Sequence, residues 1–166
     1  KRFRQTLIDG TYDYCNEENC PYMANNILDD QLVEIDEVPE YPEKISLAYD
    51  RRCNYHCTCC VSRCNDAIDL AAQSKIEQEI RKALPYVKSF SANGLGEFFV
   101  SESMMKLVSE WKPADPEKAE FILETNGSLF TKENWEKIKN IGDVTLNVTV
   151  TVHSFEEAAY QYLSGT

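Results

Sequence analysis

The run Ile45-Ser46-Leu47-Ala48-Tyr49-Asp50-Arg51-Arg52-Cys53-Asn54-Tyr55-His56-Cys57-Thr58-Cys59-Cys60 decides how the rest of the chain reads. Lys44–Tyr49 alternates apolar and polar side chains, as a half-buried strand does. The next residues crowd thiols onto a loop at the spacing C-x3-C-x2-C, on Cys53, Cys57 and Cys60. Beyond the loop, Ala67–Leu84 carries Ile68, Leu70, Ala71, Ile76, Ile80 and Leu84 at helical spacing. Strand, cysteine loop and helix form one βα unit whose reactive groups sit where the strand ends.

The same alternation recurs downstream. Val87–Ala92 reads as a second strand, Asn93-Gly94-Leu95-Gly96 as a tight turn and Glu102–Trp111 as a helix. Ala119–Glu124 is a third strand, and Thr131 can cap a helix running to Asn140. Val144–Val152 is a fourth strand, and Ser154 can cap a last helix. Repeated βα pairs predict an α/β fold, a parallel sheet with right-handed connections. Upstream, residues 1–9 read as a short helix stopped by Gly10. Residues 10–26 read as a loop, and 27–44 as an acidic linker with Pro39 and Pro42 as breakers and a short strand at Gln31–Ile35. The expected division is therefore 1–43, a small irregular Cys-containing segment and linker, and 44–166, the βα core.

Composition narrows the partners. The chain has 166 residues, 43% of them hydrophobic, enough for one domain with a core and some peripheral chain. The formal net charge of -11 repels polyanions, so nucleic acid is not an expected partner. No apolar run approaches the ~20 residues of a membrane span, and Lys1-Arg2-Phe3-Arg4 lacks the apolar stretch of a signal peptide. The expectation is a cytoplasmic protein with no membrane partner. Seven cysteines in that setting point to metal or redox chemistry, because cytosolic thiols stay reduced. Five of them lie between Cys53 and Cys64, and the others are Cys15 and Cys20.

Three thiolates on one compact loop can bind three irons of a cubane cluster and leave the fourth iron open, which marks a reactive site. Zinc is the alternative, with Cys59 or Cys64 as a fourth ligand. His56 reads as a loop residue. A strand, C-x3-C-x2-C and a helix in this order resemble the defining motif of the radical S-adenosylmethionine (radical SAM) superfamily. The resemblance implies a TIM-like barrel of six βα units, of which four are counted here, so a partial barrel. It implies a 4Fe-4S cluster on Cys53, Cys57 and Cys60 whose open iron chelates S-adenosylmethionine. One electron, from a reductant such as flavodoxin or ferredoxin, then yields a 5'-deoxyadenosyl radical that abstracts hydrogen from substrate.

Further along, Ser91-Ala92-Asn93-Gly94-Leu95-Gly96-Glu97 is similar to that family's glycine-rich turn ending in an acidic residue. This implies that Gly94, Gly96 and Glu97 help bind S-adenosylmethionine, a carboxylate suiting the methionine ammonium; a plain βα turn accounts for the same residues. Thr125-Asn126-Gly127 is similar to the Thr-Asn-Gly often found there, which adds Asn126, although Asn-Gly is also simply a good turn pair. Thr151-Val152-His153-Ser154 and Ala159-Tyr160-Gln161-Tyr162-Leu163-Ser164-Gly165 resemble the family's fourth strand and following helix. His153 stands where an acidic residue is common there, and Ser164 where an arginine is common. No catalytic side chain is assigned.

Arg4–Cys15 with Cys20-Pro21-Tyr22 resembles the tail of a SPASM region, which binds auxiliary iron–sulfur clusters in peptide-modifying radical enzymes. A peptide is the substrate class this suggests. Cys15 and Cys20 read as a remnant, as half of a site completed elsewhere, or as a zinc pair. The missing initiator Met, the end at Ser164-Gly165-Thr166 and the unit count together read as a piece of a longer enzyme that would be inactive by itself. A non-enzymatic zinc- or iron–sulfur-binding module is the competing expectation.

Overall fold

Four short strands lie side by side in chain order, each parallel to the next: β1 (Lys44–Ser46), β2 (Ser89–Ala92), β3 (Glu120–Thr125) and β4 (Thr145–Val150). They alternate with helices α1 (Leu70–Ala83), α2 (Glu102–Glu110), α3 (Lys132–Glu136) and α4 (Glu157–Ser164). The structure is a computed structural model that describes residues 5–6, 9–16, 18–25, 39–60, 69–92 and 95–166. The expected α/β class with an all-parallel sheet is what forms, and the sheet is open, with β1 and β4 at its edges. The chain divides into two units, Lys1–Val38 and Pro39–Thr166.

Strand register explains the core. Successive side chains on a strand face opposite ways, so Phe90, Phe121 and Leu146 share one row and Ala92, Leu123 and Val148 the next. Phe90, Phe121 and Leu123 are fully buried beneath Leu107, Val108 and Trp111 at the α2 end. Phe90 sits 5.3 Å from the Trp111 ring and 6.0 Å from Phe121, in tilted geometry. Trp111 also donates from Nε1 to Val87 O at 3.0 Å, which satisfies the polar atom its burial would otherwise strand. The opposite face carries Ser89, Ser91, Glu120 and Asn147 with Ile122 between Ser91 and Asn147, and Ser89 Oγ donates across it to Glu120 Oε1 at 2.7 Å. β4 is exposed along its whole length.

Helix ends follow local chemistry. The Asp69 carboxylate accepts from the Ala71 and Ala72 amides at the start of α1, and Ser101 Oγ accepts from the Met104 amide at the start of α2. Asn140 Nδ2 donates to the Val108 and Trp111 carbonyls, both at 3.1 Å, covering acceptors left open where α2 stops. Gly165, at φ +66°, ends α4 in the left-handed conformation.

Several boundaries differ from expectation. β1 stops at Ser46 rather than Tyr49, although Leu47 N still donates to Ser91 O at 2.9 Å. The helix expected from Thr131 to Asn140 is α3 followed by a separate 3-10 turn at Lys139–Ile141, which draws Ile138 and Ile141 into the core. Ser154 does not cap α4: the cap position is Glu156, and Ser154 Oγ accepts from the Glu156 amide in a preceding turn. Along α1, Leu70 is 73% exposed and Ile76 44%, so its apolar stripe is seated only toward Ala83 and Leu84.

In the N-terminal unit, Gln5 and Thr6 are helical and Gly10 adopts φ +67°. The Thr11 and Tyr12 amides both donate to Thr6 O, at 3.0 and 3.1 Å. Pro21–Ala24 is a single helical turn with proline at its first position, where the missing N–H costs nothing. Cys15 and Cys20 are half-buried free thiols. The strand expected at Gln31–Ile35 lies outside the described residues. Among the described residues no helix is long and apolar enough to cross a membrane.

Phe121 and Leu146 test the register directly, because they share a row but only Phe121 is buried. Phe121→Ala should cost about 3–5 kcal/mol, whereas Leu146→Ala should cost about 1 kcal/mol or less, both read from urea unfolding midpoints.

Candidate metal centre

In a parallel sheet all strands point the same way, so the segments leaving their C-terminal ends meet at one edge. Here they enclose a cavity of about 300 Å³. Cys53, Cys57 and Cys60 reach it from the loop after β1, Gly96 and Glu97 from the turn after β2, Asn126 from the turn after β3, and His153 from beyond β4. Cys53, Cys57 and Cys60 are half-buried, and Cys59 is exposed at the same cavity.

The base of the cysteine loop is braced first. The buried Asp50 carboxylate accepts from Arg52 Nη2 at 2.6 Å, from Arg52 Nε at 3.0 Å and from the Arg52 amide at 3.1 Å. It also accepts from the hydroxyl of Ser101, the residue that caps α2. Burial alone would push the Asp50 carboxyl up, but the bonds from the Arg52 side chain, Ser101 and the Arg52 amide together hold it below its ordinary value of 3.8. Gly96 then passes so close that a Cβ there would sit 2.7 Å from Asp50 O and collide with Arg52 O. The Glu97 amide donates to Arg52 O at 2.8 Å.

Glu97 carries the link onward. Its side chain is buried; Oε1 accepts from Thr125 Oγ1 at 2.7 Å and from the Phe99 amide at 3.3 Å, and Oε2 from the Asn126 amide at 2.8 Å. Asn126 Nδ2 returns to the cysteine loop, donating to Asn54 Oδ1 at 3.0 Å and pointing at Cys53 Sγ at 3.9 Å. Asn54 Nδ2 donates to Ser128 Oγ at 2.8 Å, and Ser128 donates to Asn126 Oδ1 from both its amide and its hydroxyl.

The far side of the loop is held by α4. The His56 amide donates to Ser164 O at 3.0 Å and the Thr58 amide to Leu163 O at 2.9 Å. Tyr160 donates its hydroxyl to that of Tyr55 at 3.1 Å. This hydrogen bond, then burial, then the charges of Tyr55 and Cys57, push the Tyr160 phenol up to about 12, so it stays protonated at neutral pH. His153 Nε2 lies 3.3 Å from Cys57 Sγ.

The residues singled out from sequence thus converge: Cys53, Cys57, Cys60, Gly96, Glu97 and Asn126 share one cavity, while Gly94 and Cys64 lie outside the described residues. Gly96 makes its close approach to protein backbone, and Glu97 has three internal partners. Asp50, Ser101, Asn54 and the Tyr55–Tyr160 pair were not singled out; a local signal existed only for Asp50, in the opposite charges that follow it at Arg51 and Arg52. No family model matches the chain, and no curated protein or solved structure matches it.

Thiols gathered on one cavity are a donor set that suits an iron–sulfur cluster or zinc. Among the described residues no group of three or more His, Cys, Asp or Glu side chains is placed to hold a metal ion. A cubane cluster asks for no convergence on one ion, because each thiolate binds a different iron. Soft thiolates with N–H donors nearby are the surroundings such clusters take.

Two substitutions test the scaffold. Gly96→Ala should cost about 1–3 kcal/mol by overpacking against the Asp50–Arg52 backbone, seen as a lower urea midpoint. Asp50 has a lower pKa folded than unfolded, so its stabilisation is present above pH 3.8 and is lost as pH falls through the lowered value. Asp50→Asn should therefore be less stable than the parent at pH 7, and the gap should narrow in acid unfolding series taken down to pH 2.

Proposed function

We propose that this chain is the cluster-binding part of a radical S-adenosylmethionine enzyme, a piece of a longer cytoplasmic protein. Cys53, Cys57 and Cys60 would hold a 4Fe-4S cluster, and Gly96, Glu97 and Asn126 would line the place of S-adenosylmethionine, with Gly94 a further binding residue by the resemblance alone. One observation carries the reading: a single cavity unites the C-x3-C-x2-C thiols with the turn residues that leave β2 and β3. When bound, the cluster and S-adenosylmethionine supply the one-electron sulfonium cleavage that gives a 5'-deoxyadenosyl radical.

The chain's own residues prepare the site. The brace on Asp50 and the circuit through Glu97 and Asn126 fix where the thiols begin, and the α4 contacts hold the loop on either side of Cys57. Half-burial of the three cysteines limits water at the sulfurs. A carboxylate offers about four acceptor positions, and three on Glu97 are used internally, which leaves room for one ammonium hydrogen. An external one-electron reductant such as flavodoxin or ferredoxin would serve the site. The SPASM-like segment makes a peptide the proposed substrate class, and the acidic charge argues against nucleic acid.

Anaerobic reconstitution followed by iron, sulfide and zinc analysis tests this. About four irons and four sulfides per chain are expected, with an EPR spectrum of the reduced protein that changes when S-adenosylmethionine is added. Cys53→Ala, Cys57→Ala and Cys60→Ala should each abolish stable loading, and Cys59→Ala should retain it. A colourless protein with stoichiometric zinc would sink the reading, and a cluster whose spectrum ignores S-adenosylmethionine would favour a non-enzymatic iron–sulfur module.

A further inference from the structure

The surroundings of Cys57 hold it from two sides. Its neighbours His56 and Thr58 are both tied through their amides to the end of α4, at Ser164 O and Leu163 O. Gly165 follows at φ +66°, so close that a Cβ would collide with the His56 carbonyl. On the other side, the β3–β4 pairing runs on past Val150, where the Thr151 amide donates to Thr125 O at 2.9 Å. Two residues later His153 sets its Nε2 3.3 Å from Cys57 Sγ. The His153 ring packs 6.3 Å from the ring of Tyr160, whose hydroxyl is engaged with Tyr55. The chain beyond β4 therefore delivers both, the imidazole from the β4–α4 connection and the clamp on the loop from the C-terminal end of α4.

A cysteine that ligates iron is a thiolate and has no proton to give. The contact is then a hydrogen bond only if Nε2 carries the proton. An N–H aimed at a ligating sulfur is worth more when the site holds more negative charge, so it favours the reduced state. Resting on the iron–sulfur reading above, we propose that His153 is a positioning residue that donates to the Cys57 thiolate and raises the reduction potential of the site. One electron arrives from an external one-electron reductant, no bond is made or broken, and the imidazole keeps its proton.

The test compares the full chain with His153→Phe, which keeps a ring but loses the donor, and His153→Gln, which keeps an N–H. Iron and sulfide are counted first, and the potential is then measured by dithionite titration with redox mediators, followed by EPR. At the potential where the parent is half reduced, His153→Phe should show a reduced-to-oxidised ratio about tenfold lower, equivalent to about 59 mV for one electron. His153→Gln should recover most of that shift. An unchanged potential in fully loaded His153→Phe overturns the proposal, as does an equal shift in both variants. If His153→Phe does not load, His153→Ala is titrated with and without added imidazole: recovery of the potential by imidazole supports the role, and no recovery overturns it. A parent chain that takes up no iron overturns the iron–sulfur reading, and this inference with it, before any variant is compared.

Discussion

The mouth of the sheet depends on one close approach, that of the Gly96 backbone to the backbone of Asp50–Arg52. No other residue type has the room, because any Cβ would enter the carbonyls of the cysteine loop. The approach lets the Glu97 amide bond Arg52 O, which in turn aims the Glu97 carboxylate at the end of β3. From there Asn126 returns to Asn54. Three successive strand ends are joined in a closed circuit, with the buried Asp50 and Ser101 and the partly exposed Arg52 as its foundation. A buried carboxylate is costly unless paired and hydrogen-bonded, and Asp50 has both kinds of partner.

The order of elements was legible because core periodicity is a local signal. Phe90, Phe121 and Leu123 fall at strand spacing, and Met104, Leu107 and Val108 at helical spacing, whatever surrounds them. Boundaries were less legible because tertiary contacts set them. The Asp50 brace takes over after β1, and burial of Ile138 and Ile141 breaks what reads as one helix after Thr131. Leu70 and Ile76 carry a helical stripe that nothing among the described contacts covers fully.

At the site, spacing brought Cys53, Cys57 and Cys60 to notice, and the resemblance of the turns after the second and third strands brought Gly96, Glu97 and Asn126. Their partners were out of reach of any local pattern: Ser101 lies 51 residues from Asp50, Asn126 72 from Asn54, and Tyr160 105 from Tyr55. Glu97 shows the difference in kind. Its position in the turn could be read, but its burden of three internal hydrogen bonds could not. His153 is similar, since its place after the fourth strand is visible in the sequence and its aim at Cys57 is not.

β4 has a consequence for the molecule in concentrated solution. Thr145-Leu146-Asn147-Val148-Thr149-Val150 contains no charge and no proline, and among the described residues it pairs only with β3. Such a bare edge is a template for another strand. What holds chains apart is the net charge of -11, and that repulsion reaches only about 8 Å at physiological ionic strength and about 3 Å in molar salt. Where no further strand of a longer chain covers β4, contact between copies along this edge should rise with salt concentration.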